Sequence, residues 1–176
     1  MSDESGPPAD QSRDALTGVL RWNQRSRIGP DSTLVMLDLD KFAQLNYRLG
    51  HQLVDRVLRV VAQRLQDELA PYLVLRSGGD EFVIEVSDPL DDDELAVLVA
   101  KIHRKLAEPT VDDIIVSAGI GIGIAGGADF ERRLTDADHA CFDSKALKVA
   151  AVIYPDRRYL DDNGSWRDLL EAGDND

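Results

Sequence analysis

The chain has 176 residues, 33 acidic and 20 basic, for a formal charge of −13, and 43% of its residues are apolar. Those figures suit one domain with a sizeable core and exclude a disordered acidic tail or a membrane-spanning bundle. The charge excludes loose binding to nucleic acid or anionic lipid through a basic face, so a phosphorylated ligand would need a metal ion, and the single cysteine, Cys141, excludes a disulfide framework or a cysteine zinc site.

The segment 1–13, with two prolines, a glycine and no apolar run, predicts a flexible leader. Its start, Met-Ser-Asp-Glu, lacks the basic-then-apolar pattern of a signal peptide, which predicts a cytoplasmic protein. Folding is expected to begin at Asp14. TLVMLDL (33–39) is an apolar run with β-branched Thr33 and Val35, a buried strand ending on the acids Asp38 and Asp40, and Asp40 is placed to cap the next helix. The spacing of Val54, Val57, Leu58, Val61 and Leu65 predicts a helix, with a break from the preceding one around Gly50-His51.

YLVLR (72–76) and FVIEV (82–86) read as two strands of a hairpin, whose turn, Ser77-Gly78-Gly79-Asp80-Glu81, is expected to depend on its glycines. The stretch 91–106 begins with acids and ends with bases, as the helix dipole prefers, so Asp91 to Glu94 read as a helix start rather than a calcium loop. The run 114–125 reads as a strand, 130–146 as a helix and 149–154 as a last strand before Pro155. Ser165 is placed to cap a short helix over 165–171. Three segments follow: a leader 1–13, one domain 14–155 and a tail 156–176. The element order predicts a layered α/β domain with a largely antiparallel sheet.

Two acidic sites stand where metal chemistry needs them. Asp38 ends an apolar strand, and Asp80 with Glu81 lies in a hairpin turn, so a sheet would bring them together. Hard carboxylate oxygens suit Mg²⁺, which keeps substrate phosphate oxygens as further ligands, although acids at strand ends also serve as caps. His51 reads as a helix-start residue, His103 and His139 as solvent-facing helix positions, Cys141 as a small core residue, and Trp22 and Trp166 as packing for the terminal segments.

Arg76-Ser77-Gly78-Gly79-Asp80-Glu81-Phe82 resembles the signature of the GGDEF family. Other segments fall in that family's order: Asp14-Ala15-Leu16-Thr17-Gly18, Asp38-Leu39-Asp40-Lys41-Phe42, then Asn46, Gly50-His51 and Asp55, then Ser117-Ala118-Gly119-Ile120-Gly121, then Ala137-Asp138 with Lys145. The resemblance covers 14–154. It implies a palm-like nucleotidyl cyclase fold, with a mostly antiparallel sheet of about five strands flanked by helices. It also implies diguanylate cyclase activity, in which two GTP on two facing protomers condense to cyclic di-GMP in bacterial signalling. Asp38, Asp80, Glu81 and the Leu39 carbonyl would hold Mg²⁺ or Mn²⁺, with Asp80 and Glu81 catalytic and Glu81 the acid nearest the attacking 3′-hydroxyl. Asn46 and Asp55 would read guanine, whose N1–H and 2-amino donors suit a carboxylate. The backbone at Lys41 and Phe42 would cradle phosphates, and Lys145 would meet the terminal one.

The sequence departs from the family pattern beside the nucleotide: Ala43 and Tyr47 stand for a lysine and an acid, and Val54 for a glycine, where it either crowds the base or packs into the core. Val149 stands for a second basic residue, with Lys148 one position earlier as its substitute. Leu69 and Tyr72 fall where the family's product-inhibition pair is expected, so feedback at that site is not expected. The partners expected are GTP, a transient second copy and a protein regulator in place of a sensor module. Two other readings remain: a GTP-binding sensor of the same fold without turnover, and a related palm cyclase using ATP, which Asn46 and Asp55 oppose.

Overall fold

The computed structural model describes residues 10–169. Eight strands form one sheet in the order β1-β3-β4-β2-β5-β6-β7-β8: β1 (Leu20–Arg21), β2 (Thr33–Leu39), β3 (Leu73–Arg76), β4 (Glu81–Val86), β5 (Ala118–Gly123), β6 (Ala151–Tyr154), β7 (Arg158–Leu160) and β8 (Trp166–Asp168). The α-helices are α1 (Phe42–Leu49), α2 (His51–Leu69), α3 (Asp92–Ala107) and α4 (Phe130–Leu147). All neighbouring strands run antiparallel except β1 with β3 and β5 with β6.

The period-2 alternation of β2 sorts the layers. Val35, Leu37 and Leu39 join the main core with Phe82 and Ile84 of β4, Ile120 and Ile122 of β5, and the apolar stripes of α2 and α3. Leu34 and Met36 face the other way, into a smaller cluster with Val83, Ala137 and Cys141 under α4. Asp38 continues this second series, so the strand itself aims its terminal carboxylate at the α4 side.

Strand β5 explains how closely α4 lies on the sheet. Its apolar residues Ala118, Ile120 and Ile122 face the main core, and Gly119, Gly121 and Gly123 alternate with them toward α4. A Cβ at Gly121 would stand 2.1 Å from both the Ala137 carbonyl oxygen and the Cys141 amide nitrogen, and one at Gly123 would stand 2.1 Å from the Arg133 carbonyl oxygen. The helix backbone therefore rests directly on glycine backbone. Ser144, buried in the same seam, accepts from the Ile120 amide at 3.0 Å and donates to the Cys141 carbonyl at 2.8 Å.

Several expectations are corrected. The helix expected over 165–171 is instead β8, paired antiparallel with β7, and its positions beyond 169 lie outside the described residues. The sheet accordingly has eight strands rather than about five, the short β1, β7 and β8 being its additions. The expected leader is outside the described residues up to position 9, but Arg13 bridges Leu20 and its guanidinium donates to the Gly18 carbonyl at 2.8 Å, so order begins before Asp14. Asp40 does not cap α1. The helix starts from Lys41 in the left-handed region (φ 56°) with no side-chain cap, while Asp40 accepts from Ser117 Oγ at 2.6 Å. Neither Gly78 nor Gly79 adopts a positive φ, so the turn does not depend on left-handed glycine backbone. His103 is half-buried, its Nε2 2.7 Å from the Ala150 carbonyl, rather than solvent-facing. Asp91 and Glu94 do form a reciprocal capping box at the start of α3. Among the described residues no helix is long and apolar enough to cross a membrane.

Candidate functional site

The ends of β2, β4 and β5 converge on one edge of the α4 side. Asp38 pairs in register with Glu81 on β4 and with Gly119 on β5. Directly opposed residues of an antiparallel pair share a face, so two carboxylates are neighbours there, an arrangement that repels itself unless a cation intervenes. Asp80 is held beside them: its carbonyl accepts from the Leu39 amide at 3.2 Å. Burial, and then the neighbouring Asp38 charge, raise the Asp80 carboxyl above its ordinary value; burial, with Asp38, Asp80 and Asp138 behind it, does the same for Glu81.

Lys145, delivered by α4, is the cation that, among the described residues, forms ion pairs with this group. Its Nζ lies 2.8 Å from Asp38 Oδ1 and 3.5 Å from Asp40 Oδ1. Burial alone would lower the Lys145 ammonium, but the contact with Asp38 outweighs it and holds the group above its ordinary value. The close seat of α4 makes this reach possible, since a Cβ at Gly119 would stand 2.5 Å from Lys145 Cγ.

Two hollows meet at Lys145. The smaller, about 260 Å³, is lined by Asp38, Glu81, Asp138, Phe142 and Lys145 among others. The larger, about 740 Å³, has Lys41, Arg48, Lys145 and Lys148 in its wall, with Asp40 and Asp162 opposing them in charge. Lys148 takes part by ending α4 in the left-handed region (φ 58°), and Val149 lines the same wall. The expected site residues are thus brought together in part. Asp38, Leu39, Asp80, Glu81, Lys41, Lys145 and Lys148 belong to this edge. Phe42 is half-buried against the main core, so only its backbone is available there. Asn46 on α1 and Asp55 on α2 are half-buried on the helix pair joined at Gly50, and neither lines either hollow. Val54 is fully buried, which settles its alternatives in favour of packing.

Two residues that motif reading left without a role prove to organise the turn before Asp80. Arg76 donates to the Gly78 carbonyl at 3.0 Å, to the Gly79 carbonyl at 2.6 Å and to Asp14 Oδ1 at 2.9 Å. Asp14 also accepts from the Thr17 amide and hydroxyl at 2.9 and 2.7 Å. Burial raises the Asp14 carboxyl, but the Thr17 and Arg76 hydrogen bonds outweigh it and hold the group below its ordinary value. Their place at the head of two of the quoted segments was the sequence signal, and it did not pair them, because 62 positions separate the partners.

The donor set fits a hard divalent cation in kind: carboxylates of which two are already raised by burial and repulsion, and the Leu39 carbonyl at the end of the same strand as Asp38. The carboxylates are not gathered into a cage, for among the described residues no three of His, Cys, Asp or Glu converge on one metal position. Lys145 instead neutralises Asp38.

The family model described as "Diguanylate cyclase, GGDEF domain" matches residues 14–149. The diguanylate cyclase DosC of Escherichia coli is 31% identical over 126 residues, 68% of this chain and 27% of that protein. The cyclic di-GMP phosphodiesterase NbdA of Pseudomonas aeruginosa is 32% identical over 124 residues, 67% of this chain and 16% of that protein. The chain therefore spans about a quarter or less of the length of these curated relatives. Among solved structures, the diguanylate cyclase SiaD of Pseudomonas aeruginosa, in complex with its activator SiaC, superposes with a TM-score of 0.67 at 29% identity, covering 77% of this chain and 58% of that one. The sheet with its flanking helices is the palm-like fold expected from the motifs.

Proposed function

This chain belongs to the GGDEF domain family, and from that premise we propose that it is a diguanylate cyclase half-site, taking GTP with Mg²⁺ and condensing it with the GTP of a second copy into cyclic di-GMP. The observation that carries the reading is the opposed Asp38–Glu81 pair with Asp80 beside it, next to a hollow walled by four cations, the Asp80 and Glu81 carboxyls being raised by burial and by the Asp38 charge. Cationic side chains and carboxylates in adjoining hollows are the surroundings that metal-assisted phosphoryl chemistry needs.

In this reading Asp38, Asp80, Glu81 and the Leu39 carbonyl would hold Mg²⁺ or Mn²⁺, which when bound supplies charge neutralisation for a triphosphate. Lys145 moves from Asp38 to a phosphate oxygen once the carboxylate is otherwise neutralised. Lys41, with the backbone entering α1 at Phe42, and Lys148 take further phosphate oxygens as charge-assisted donors. Asn46 and Asp55 meet the guanine edge, so adenine leaves Asp55 without donors. The bond formed joins O3′ of one nucleotide to Pα of the other; the bond broken is Pα to its bridging oxygen, and pyrophosphate leaves. Glu81, the acid nearest the attacking 3′-hydroxyl in this reading, accepts the hydroxyl proton. Each chain supplies one such edge, so a second copy faces it, and Phe142, 74% exposed beside Asp38 and Glu81, lies in that face. A protein activator of the kind named for SiaD is the regulator expected to bring the copies together.

Incubation of the purified chain with Mg²⁺ and GTP or ATP, separately and mixed, with mass spectrometry of the products, tests the proposal. Cyclic di-GMP from GTP that is lost in Asp80→Ala supports it. Mg²⁺-dependent GTP binding without product supports the sensor reading instead, to which Val149 in the cation-lined wall contributes. A cyclic product from ATP refutes the guanine roles of Asn46 and Asp55.

A further inference from the structure

The C-terminal hairpin places a charge in the larger hollow that the proposed chemistry does not use. Strands β7 and β8 lie beyond the 14–149 match, and they extend the sheet from β6. The hairpin is fixed at both ends. Arg158 donates to both Asp92 carboxylate oxygens at 2.6 and 3.1 Å, Trp166 Nε1 donates to the Asp92 carbonyl at 2.9 Å, and Leu160 is buried in the main core. Its tip is fixed too: Asp161 accepts from the Asn163 and Ser165 amides, each at 2.9 Å, and from Arg167 Nε at 3.1 Å, and Gly164 turns the chain at φ 77°.

That turn presents Asp162 in the wall of the 740 Å³ hollow, which Lys41, Arg48, Lys145 and Lys148 also line. The Asp162 side chain is exposed and, among the described residues, makes neither a side-chain hydrogen bond nor an ion pair, so none of them neutralises its charge. A carboxylate in the wall of a site for polyphosphate repels the ligand in proportion to the ligand's charge.

We propose that Asp162, held at the hollow's edge by the hairpin, is a specificity-determining residue that weakens the binding of highly charged phosphate chains and narrows the preference for triphosphate over diphosphate. This rests on the reading of the hollow as the polyphosphate seat. At a separation of about one Debye length in about 0.1 M salt, removal of one opposing charge tightens a triphosphate about two- to threefold, and the gain fades as the Debye length shortens.

The test is calorimetric titration of the full chain with inorganic tripolyphosphate and with pyrophosphate, each with saturating Mg²⁺, for the wild type, Asp162→Asn and Asp168→Asn. Asp168 is exposed on the same hairpin and outside the hollow, so it controls for the loss of one negative charge from an acidic protein. The expected result is tighter tripolyphosphate binding by Asp162→Asn, a smaller gain for pyrophosphate, loss of both gains at high salt, and no change in Asp168→Asn. Equal affinities of the wild type and Asp162→Asn overturn the inference and leave the polyphosphate seat standing, and so does an equal gain in Asp168→Asn. Absence of tripolyphosphate binding in all three proteins overturns the polyphosphate seat along with it.

Discussion

Gly121→Ala tests whether the glycine face of β5 is what sets α4, and through it Lys145, against the acids. The added methyl would meet two backbone atoms of α4 at 2.1 Å and the Cys141 Cα at 2.7 Å, where ordinary contact begins at 3.4 Å. Backbone within a helix has no rotamer by which to yield, so α4 must lift by about 1 Å or the sheet must bend. Overpacking of this kind costs about 1–3 kcal/mol, and the upper part of that range is expected because both opposing atoms are main chain. Gly119→Ala is the informative comparison. There the nearest atoms are Lys145 Cγ at 2.5 Å and Cε at 2.8 Å, the side chain rather than the helix, with the Cys141 carbonyl at 3.1 Å. Lys145 swings away at a stability cost of about 1 kcal/mol, within the range of ordinary single substitutions. Urea unfolding curves give both costs, provided the slope is unchanged. Phosphate binding then falls in Gly119→Ala although the protein stays folded, whereas Gly121→Ala loses stability first. A Gly121→Ala protein within about 0.5 kcal/mol of the wild type refutes the close-approach reasoning, since surface changes without consequence fall in that band.

Asp14→Asn, which leaves Arg76 without its carboxylate, is expected to cost about 1 kcal/mol near neutral pH, discounted for partial exposure. Because the Asp14 carboxyl is held low in the folded chain, its contribution is full above the ordinary value of 3.8 and is lost as pH falls through the lower folded value; acid unfolding curves of the two proteins should therefore converge there. A gap that widens toward low pH refutes that sign. The Cys141 thiol, 3% exposed and pushed by burial up to about 12, should resist iodoacetamide in the native protein at pH about 8 and react once urea unfolds it; rapid native labelling followed by mass spectrometry contradicts the burial. Phe142→Glu should leave the unfolding free energy within about 0.5 kcal/mol of the wild type, because the ring is 74% exposed, yet reduce cyclic di-GMP formation at low protein concentration. Unchanged product formation across a dilution series removes Phe142 from the facing surface.

Local signals determined most of the architecture without any tertiary information. The alternation of TLVMLDL, the heptad-like stripe of α2 and the acid-first, base-last order of α3 each encode burial by spacing alone, and each element appears where that spacing puts it. The acids at the strand ends were equally legible, because a strand that terminates on Asp38 and a turn that carries Asp80 and Glu81 name their own positions. Spacing failed where an element has no core-facing period of its own. Trp166–Asp168 is a strand only because β7 offers it a partner, and β7 in turn leans on β6, so the tail reads as a helix until its neighbours exist. Asp40 reads as a cap until Ser117, 77 positions away, takes its oxygen. What only the folded chain decided is which charges meet: Asp38 with Lys145, Arg76 with Asp14, Asp162 with the cation-lined hollow. Those pairings depend on strand order and on how near α4 can approach, quantities set by packing between distant segments, whereas sequence periodicity reports only which face of each segment turns inward.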